Sequence, residues 1–213
     1  MQIEIKNLMP EPLKELQKPE TTLWNKIISL SPPLKYAVVA ASGKGKSTFL
    51  NIIYGKRNDY TGQVLLDGKD IRKFKAMDWA KLRSNHLSSV FQDLRLFQNQ
   101  TAYENIYLKN KLTDYFSSNE IKQKAEELGI DGLLNKKCGL LSFGERQRVA
   151  IIRSIAQPFN WMLLDEPFSH LDEQNSLIAA KMISESCQKN NAGLVIAALG
   201  QDSFFPYDEI LNV

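Results

Sequence analysis

Three short stretches of this sequence hold residues able to act on a phosphorylated substrate. The first is Ser42-Gly43-Lys44-Gly45-Lys46-Ser47-Thr48, set between the apolar run Tyr36 to Ala41 and a helical pattern over residues 46–54. Glycines let backbone N–H groups turn inward around phosphate oxygens, and the N-terminus of the following helix adds the positive end of its dipole. Lys46 has the length to reach β- and γ-phosphates, and the Ser47 hydroxyl stands where a magnesium ligand belongs. A glycine is usual five residues before Gly45, where this chain has Ala40; the loop tolerates that methyl provided the position needs no positive φ.

The second stretch is Trp161-Met162-Leu163-Leu164-Asp165-Glu166, an apolar strand ending in two carboxylates. In a parallel sheet such an end opens onto the ligand crevice, where Asp165 would hold a magnesium ion through water and Glu166 would orient or deprotonate an attacking water. Two acids at a strand end are also a common surface feature. The third stretch, Leu141-Ser142-Phe143-Gly144-Glu145-Arg146-Gln147-Arg148, opens the apolar-periodic segment Val149 to Ile155. Ser142 followed three residues later by Glu145 is a capping box, and the same helix N-terminus is a second place for an anion; the two readings are compatible.

Elements that could position these stretches are visible in the pattern. Met1 to Leu8 alternates Ile3 and Ile5 with polar neighbours and is expected to be an edge strand, with Trp24 to Leu30 as a second. Tyr36 to Ala41, Gln63 to Leu66 before the Asp67-Gly68 turn, Ser88 to Phe91, Trp161 to Leu164 and Leu194 to Leu199 are short apolar runs suited to further strands. The periodicity is helical between Thr101 and Ile155 and again from Asp172 to Gln188. Strand, helix, strand is the unit of a parallel sheet.

Composition sets bounds. A chain of 213 residues with 43% apolar and 24% charged residues supports one sizeable core. The net charge of +3, with both signs interspersed, argues against nucleic acid as a partner. Cys138 and Cys187 lie far apart, so neither a disulfide framework nor a zinc site is expected. No apolar run approaches the roughly 20 residues that span a bilayer. Met1 to Pro10 has no signal-peptide character. The expected location is the cytoplasm, on the inner face of the cell membrane only through a partner.

Taken together, Ala40 to Thr48, Gln92, Leu141 to Glu145, Asp165-Glu166 and Ser169-His170-Leu171-Asp172 resemble, in order and spacing, the ABC ATPase family's phosphate loop, Q-loop glutamine, signature motif, Walker B pair and D-loop. The resemblance implies an α/β P-loop NTPase fold: a RecA-like core over about 1–92 and 156–213, an antiparallel β subdomain and an α-helical signature subdomain over about 93–155. It implies ATP and Mg²⁺ as cofactors, with Ser47, Gln92 and Asp165 around the ion and Lys46, Gln92 and Glu166 as catalytic groups. It also implies a dimer of two copies, in which Ser142, Gly144 and Glu145 of one act in trans on the nucleotide held by residues 42–48 of the other. Ser89 to Phe97 and Thr101 to Ile106 look most like the branch serving lipoprotein release, macrolide export and cell division, whose ATPases drive an integral-membrane permease.

Three positions depart from that family. After Leu194 to Leu199 the family has a switch histidine; here Gly200-Gln201 stands, so Gln201 is the candidate for that place, and His86 and His170 lie elsewhere. Met9 to Leu13 offers no ring to stack on adenine, Trp24 belonging more naturally to the core, and Phe143 replaces a usual signature glycine. The main functional expectation is an ATP-hydrolysing subunit that docks through the surface around Gln92 to Glu104 onto a permease. The alternatives are a nucleotide-dependent dimerisation switch that hydrolyses weakly, and an ATPase of DNA repair or translation, which the lack of a basic face or second cassette disfavours.

Overall fold

The computed structural model describes residues 1–15, 21–41, 43–198 and 204–213. In chain order the elements are β1 (Ile3–Pro10), β2 (Ile27–Leu30), β3 (Lys35–Val39), α1 (Lys46–Ile53), β4 (Tyr60–Leu66), β5 (Lys69–Asp70), α2 (Ala76–Asn85) and β6 (Leu87–Val90). There follow α3 (Ala102–Asn110), α4 (Ser118–Glu127), α5 (Phe143–Ile155), β7 (Trp161–Asp165), α6 (Glu173–Asn190), β8 (Gly193–Ala198) and β9 (Glu209–Asn212). One sheet is antiparallel, in the order β2-β1-β4-β5, and the other parallel, in the order β6-β7-β8-β3-β9.

The parallel strands are apolar throughout because both faces are covered, and the period of two sorts their side chains between two cores. Along β7, Met162 and Leu164 face a core shared with α3, α4, α5 and α6, while Trp161 and Leu163 face a core shared with α1 and the antiparallel sheet. In β8, Leu194 and Ile196 take the first side and Val195 and Ala197 the second. Strand ends are thereby fixed in depth, so the chain leaves β3 and β7 at the same edge of the sheet, separated only by β8.

Two expectations need correction. Strand β1 is not an edge: it is bonded to β2 on one side and β4 on the other, and Ile3, Ile5 and Leu8 are wholly buried beneath it. Alternation reveals which face is buried but not how many neighbours a strand has. The second strand begins at Ile27 rather than Trp24, and the Trp24 ring instead meets Phe49 of α1 edge-on at 6.1 Å. Sequence periodicity leaves α2 unmarked because none of its residues is fully buried. It also leaves β9 unmarked, where only Leu211 is buried.

The helices between β6 and β7 start on well-made caps. Thr101 with Glu104, Ser117 with Glu120 and Ser142 with Glu145 are reciprocal capping boxes. Helix α1 has no such cap: it starts at Gly45, whose φ of 107° no other residue type adopts readily. Phe49 anchors it, fully buried against Trp24. Phe49→Ala should therefore lose about 3–5 kcal/mol of stability in urea denaturation, the range for a buried aromatic truncated to Ala; a loss below about 1 kcal/mol would show that α1 is held from elsewhere.

Candidate functional site

The turn from β3 into α1 and the C-terminal end of β7 face each other across a cavity of about 210 Å³ lined by Gly43, Gly45, Lys46, Ser47, Thr48, Gln92 and Glu166. Two left-handed glycines shape the turn, Gly43 at φ 77° and Gly45 at φ 107°. At Gly45 an added Cβ would also stand 2.6 Å from Leu13 and 3.1 Å from Trp24. Ala40 has no positive φ, so a methyl is tolerated there. Lys44 lies exposed beside the turn, and Ser42 lies outside the described residues.

Lys46 is the focus. Its side chain is only 4% exposed, and Nζ donates to the carbonyls of Ala40 at 2.8 Å and Ala41 at 3.3 Å, with a Glu166 carboxylate oxygen 3.9 Å away. A buried ammonium surrounded by carbonyls and a carboxylate is satisfied without ligand, yet it is the group a polyphosphate would engage. One residue on, the Ser47 hydroxyl donates to Asp165 Oδ1 at 3.0 Å, spanning from α1 to the end of β7. Burial holds the Asp165 carboxyl above the ordinary aspartate value; the Ser47 hydrogen bond opposes this and the Glu166 charge reinforces it.

Glu166 follows β7 with φ 49°, a left-handed conformation that costs a non-glycine residue about 1–2 kcal/mol. Its N–H donates to the Ala197 carbonyl at 3.0 Å. Its own carbonyl accepts from Ser169 Oγ at 3.1 Å and Gln147 Nε2 at 3.2 Å. These bonds hold the strained backbone, which turns the carboxylate toward Lys46 and toward Gln92, whose Nε2 donates to it at 3.4 Å. Lys46, Ser47, Gln92 and Glu166, marked separately in the sequence, thus line one cavity, with Asp165 buried behind Ser47 and hydrogen-bonded to it.

Ser142, Gly144 and Glu145 do not join that cavity within the chain. They line a separate one of about 410 Å³ together with Phe143, Arg148 and His170. Ser142 Oγ accepts from the Glu145 N–H at 3.3 Å and Glu145 returns a bond to the Ser142 N–H at 2.7 Å, so the capping role is realised. The His170 ring packs against Phe143, tilted by 52° with centroids 4.1 Å apart, and Asp172 caps α6 through the Asn175 N–H. His86 closes α2 and pairs Nδ1 with Asn160 at 2.6 Å, remote from both cavities. Gln201 lies outside the described residues.

Sequence reading passes over Gln147, which is 1% exposed and bonds the backbone on both sides of residues 166–170. Its only signal is a polar residue on the buried face of α5, which looks in sequence like one more surface glutamine.

With this geometry in view, a profile of the ABC transporter family matches residues 27–169. The lipoprotein-releasing system ATP-binding protein LolD of Hahella chejuensis is 32% identical, covering 79% of this chain and 74% of its own. LolD of Coxiella burnetii is 29% identical over 86% and 80%. The ABC transporter ATP-binding protein YtrE of Bacillus subtilis is 30% identical over 82% and 80%. Among solved structures, the dimeric bacterial ABC transporter cassette MJ0796 superposes with a TM-score of 0.77 at 25% identity, covering 93% of this chain and 88% of that one. The same cassette in a post-hydrolysis state bound to ADP and Pi superposes with a TM-score of 0.71 at 25% identity, covering 92% and 87%.

The phosphate-loop turn is testable without any ligand. Gly45→Ala combines a forbidden φ with a clash against Leu13, and thermal or urea unfolding should register a loss of about 1–3 kcal/mol. A variant as stable as the parent would mean that the turn relaxes freely.

Proposed function

The chain belongs to the ABC transporter family of ATP-binding proteins, and on that premise we propose that two copies close around ATP, hydrolyse it and so drive a separate membrane permease. The observation that carries this reading is the convergence of Lys46, Ser47, Gln92 and Glu166 on one cavity at the N-terminus of α1, with Asp165 joined to it through Ser47. The phosphates sit against the backbone of residues 43–48, where the helix dipole favours negative charge. Lys46 exchanges a carbonyl partner for the β- and γ-phosphates.

Glu166 accepts a proton from water as the water oxygen bonds to the γ-phosphorus; the bond to the bridging oxygen breaks, and ADP leaves with that electron pair. Gln92, already bonded to the Glu166 carboxylate, orients it and the water. The donor set fits magnesium: Ser47 Oγ, an Asp165 carboxylate and the Gln92 side-chain carbonyl are hard oxygens, and Ser47 and Asp165 are already in contact. Held by these residues, Mg²⁺ would supply positive charge to offset the charge developing on the phosphates.

Ser142, Gly144 and Glu145 serve the nucleotide of the second copy. Their cavity is separate from the phosphate loop of their own chain, as a head-to-tail arrangement requires, and MJ0796 is described as dimeric. Among the described residues no helix is long and apolar enough to cross a membrane. A permease would instead bind a groove of about 270 Å³ between β6, α3 and α5, whose lining includes Phe91, Arg95, Phe97, Lys109 and Arg153. Phe97 is 60% exposed at its rim. The chain then works on the cytoplasmic face of the cell membrane, and the LolD relatives favour lipoproteins as the class of molecule moved.

Glu166→Gln should retain ATP binding and double the molar mass in light scattering when ATP and magnesium are added, while phosphate release falls by a factor of about 100 or more. Undiminished phosphate release would reject Glu166 as the base. A second outcome concerns the groove. Burial, reinforced by Arg153 and Arg83, brings the Lys109 ammonium down from 10.5 to about 8. Because the folded value lies below the unfolded one, protonation penalises folding fully below about pH 8, and the penalty fades as pH rises toward 10.5. Lys109→Met should accordingly be more stable than the parent in denaturant titrations at neutral pH, with the difference shrinking across that window. A constant difference would contradict it.

A further inference from the structure

The first turns of α5 and the segment 166–170 are locked together by contacts that hydrolysis does not itself use. Gln147 Nε2 donates to the Glu166 carbonyl at 3.2 Å, and its Oε1 accepts from the His170 N–H at 3.2 Å. A buried side-chain amide with both ends engaged on main-chain atoms cannot rotate or shift without breaking one bond and stranding a polar group. At Gly144 an added Cβ would lie 2.7 Å from the His170 carbonyl oxygen, so helix and loop approach as closely as backbones allow. The Phe143 ring covers the His170 imidazole from the same turn.

The loop end of this clamp is a residue in a costly left-handed conformation. Glu166 holds φ 49°, and the peptide whose carbonyl Gln147 grips is the one that follows its Cα. A displacement of α5 along its axis would be passed through the amide to that carbonyl, and would shift the Glu166 carboxylate relative to Lys46 and Gln92, 3.9 and 3.4 Å away.

We propose that Gln147 is a positioning residue that couples the two ATP sites of the dimer. It ties the α5 turn, which receives the nucleotide of the second copy, to the carboxylate that acts on the nucleotide of its own copy. This rests on the head-to-tail reading above. In the free chain Ser142 Oγ is occupied by the Glu145 N–H. A phosphate arriving there competes for the first-turn donors and draws on the helix end, and the rigid amide carries the movement to Glu166. Productive geometry in one site thereby requires occupancy of the other.

The test compares the parent with Gln147→Met, which keeps the volume but removes both bonds, and with Gln147→Asn, which keeps the amide but shortens its reach. Phosphate release is followed against ATP concentration, and amide hydrogen exchange of residues 166–171 is followed with and without ATP and magnesium. In the parent, hydrolysis should be cooperative and exchange in this segment should slow on adding ATP. In both variants kcat should fall by about tenfold or more with KM within about threefold, and the Hill coefficient should drop to one. Their 166–171 segment should exchange at the same rate with and without ATP. The proposal is overturned if the variants keep the parent's kcat and Hill coefficient, if the parent is itself non-cooperative, or if ATP protects the segment equally in all three. Failure of the catalytic reading would show differently, as phosphate release unaffected by Glu166→Gln, while the exchange comparison still decides the role of Gln147.

Discussion

The ammonium of Lys46 is the constraint on which the rest of the site depends. A nearly buried positive charge must find compensation within the fold, and here it comes from the carbonyls of Ala40 and Ala41 and from the Glu166 carboxylate. Those carbonyls face inward only because the turn passes through left-handed glycines, and α1 holds Lys46 at the right depth only because Phe49 is packed under it. The carboxylate, in turn, reaches Lys46 only because Glu166 is held in a strained conformation by Gln147, Ser169 and Ala197. The free chain thus carries its charges in a provisional arrangement, which a polyphosphate can take over by replacing carbonyl partners of Lys46 with phosphate oxygens.

The parallel sheet supplies the frame for this arrangement. Sorting side chains by a period of two into two separate cores leaves the strand ends free of packing duties. Asp165 is the point where the arrangement turns polar: it is the last residue of β7, still buried, and its link to Ser47 spans the end of β8. The two cavities are products of the same geometry. One opens at the strand ends, the other at the start of α5, and the segment from Glu166 to Asp172 runs between them.

Much of the site is legible in the sequence because the relevant residues are contiguous. Glycines just before Lys46 and two acids closing an apolar run each announce a local backbone geometry, and order along the chain supplies the rest. What escapes is whatever depends on contacts between distant segments. The interior place of β1 follows from strand neighbours that alternation cannot count, and α2 lacks a fully buried stripe to mark it. Gln147 escapes because burial, not residue type, gives it meaning. His170 is visible as a residue of an expected loop, yet its tilted ring contact with Phe143 explains something the sequence presents only as a departure: the aromatic side chain in the signature stretch has a partner in its own chain.

The central claim, that the cavity around Lys46 is built to hold the phosphates of ATP, is tested most directly by calorimetric titration of ATP with magnesium into the purified chain and into Lys46→Met. One nucleotide should bind per parent chain, with an affinity weaker by about 10- to 100-fold in the variant, the worth of one charge-assisted hydrogen bond in a buried site. Equal affinity in the two proteins, with the variant still folded, would contradict it.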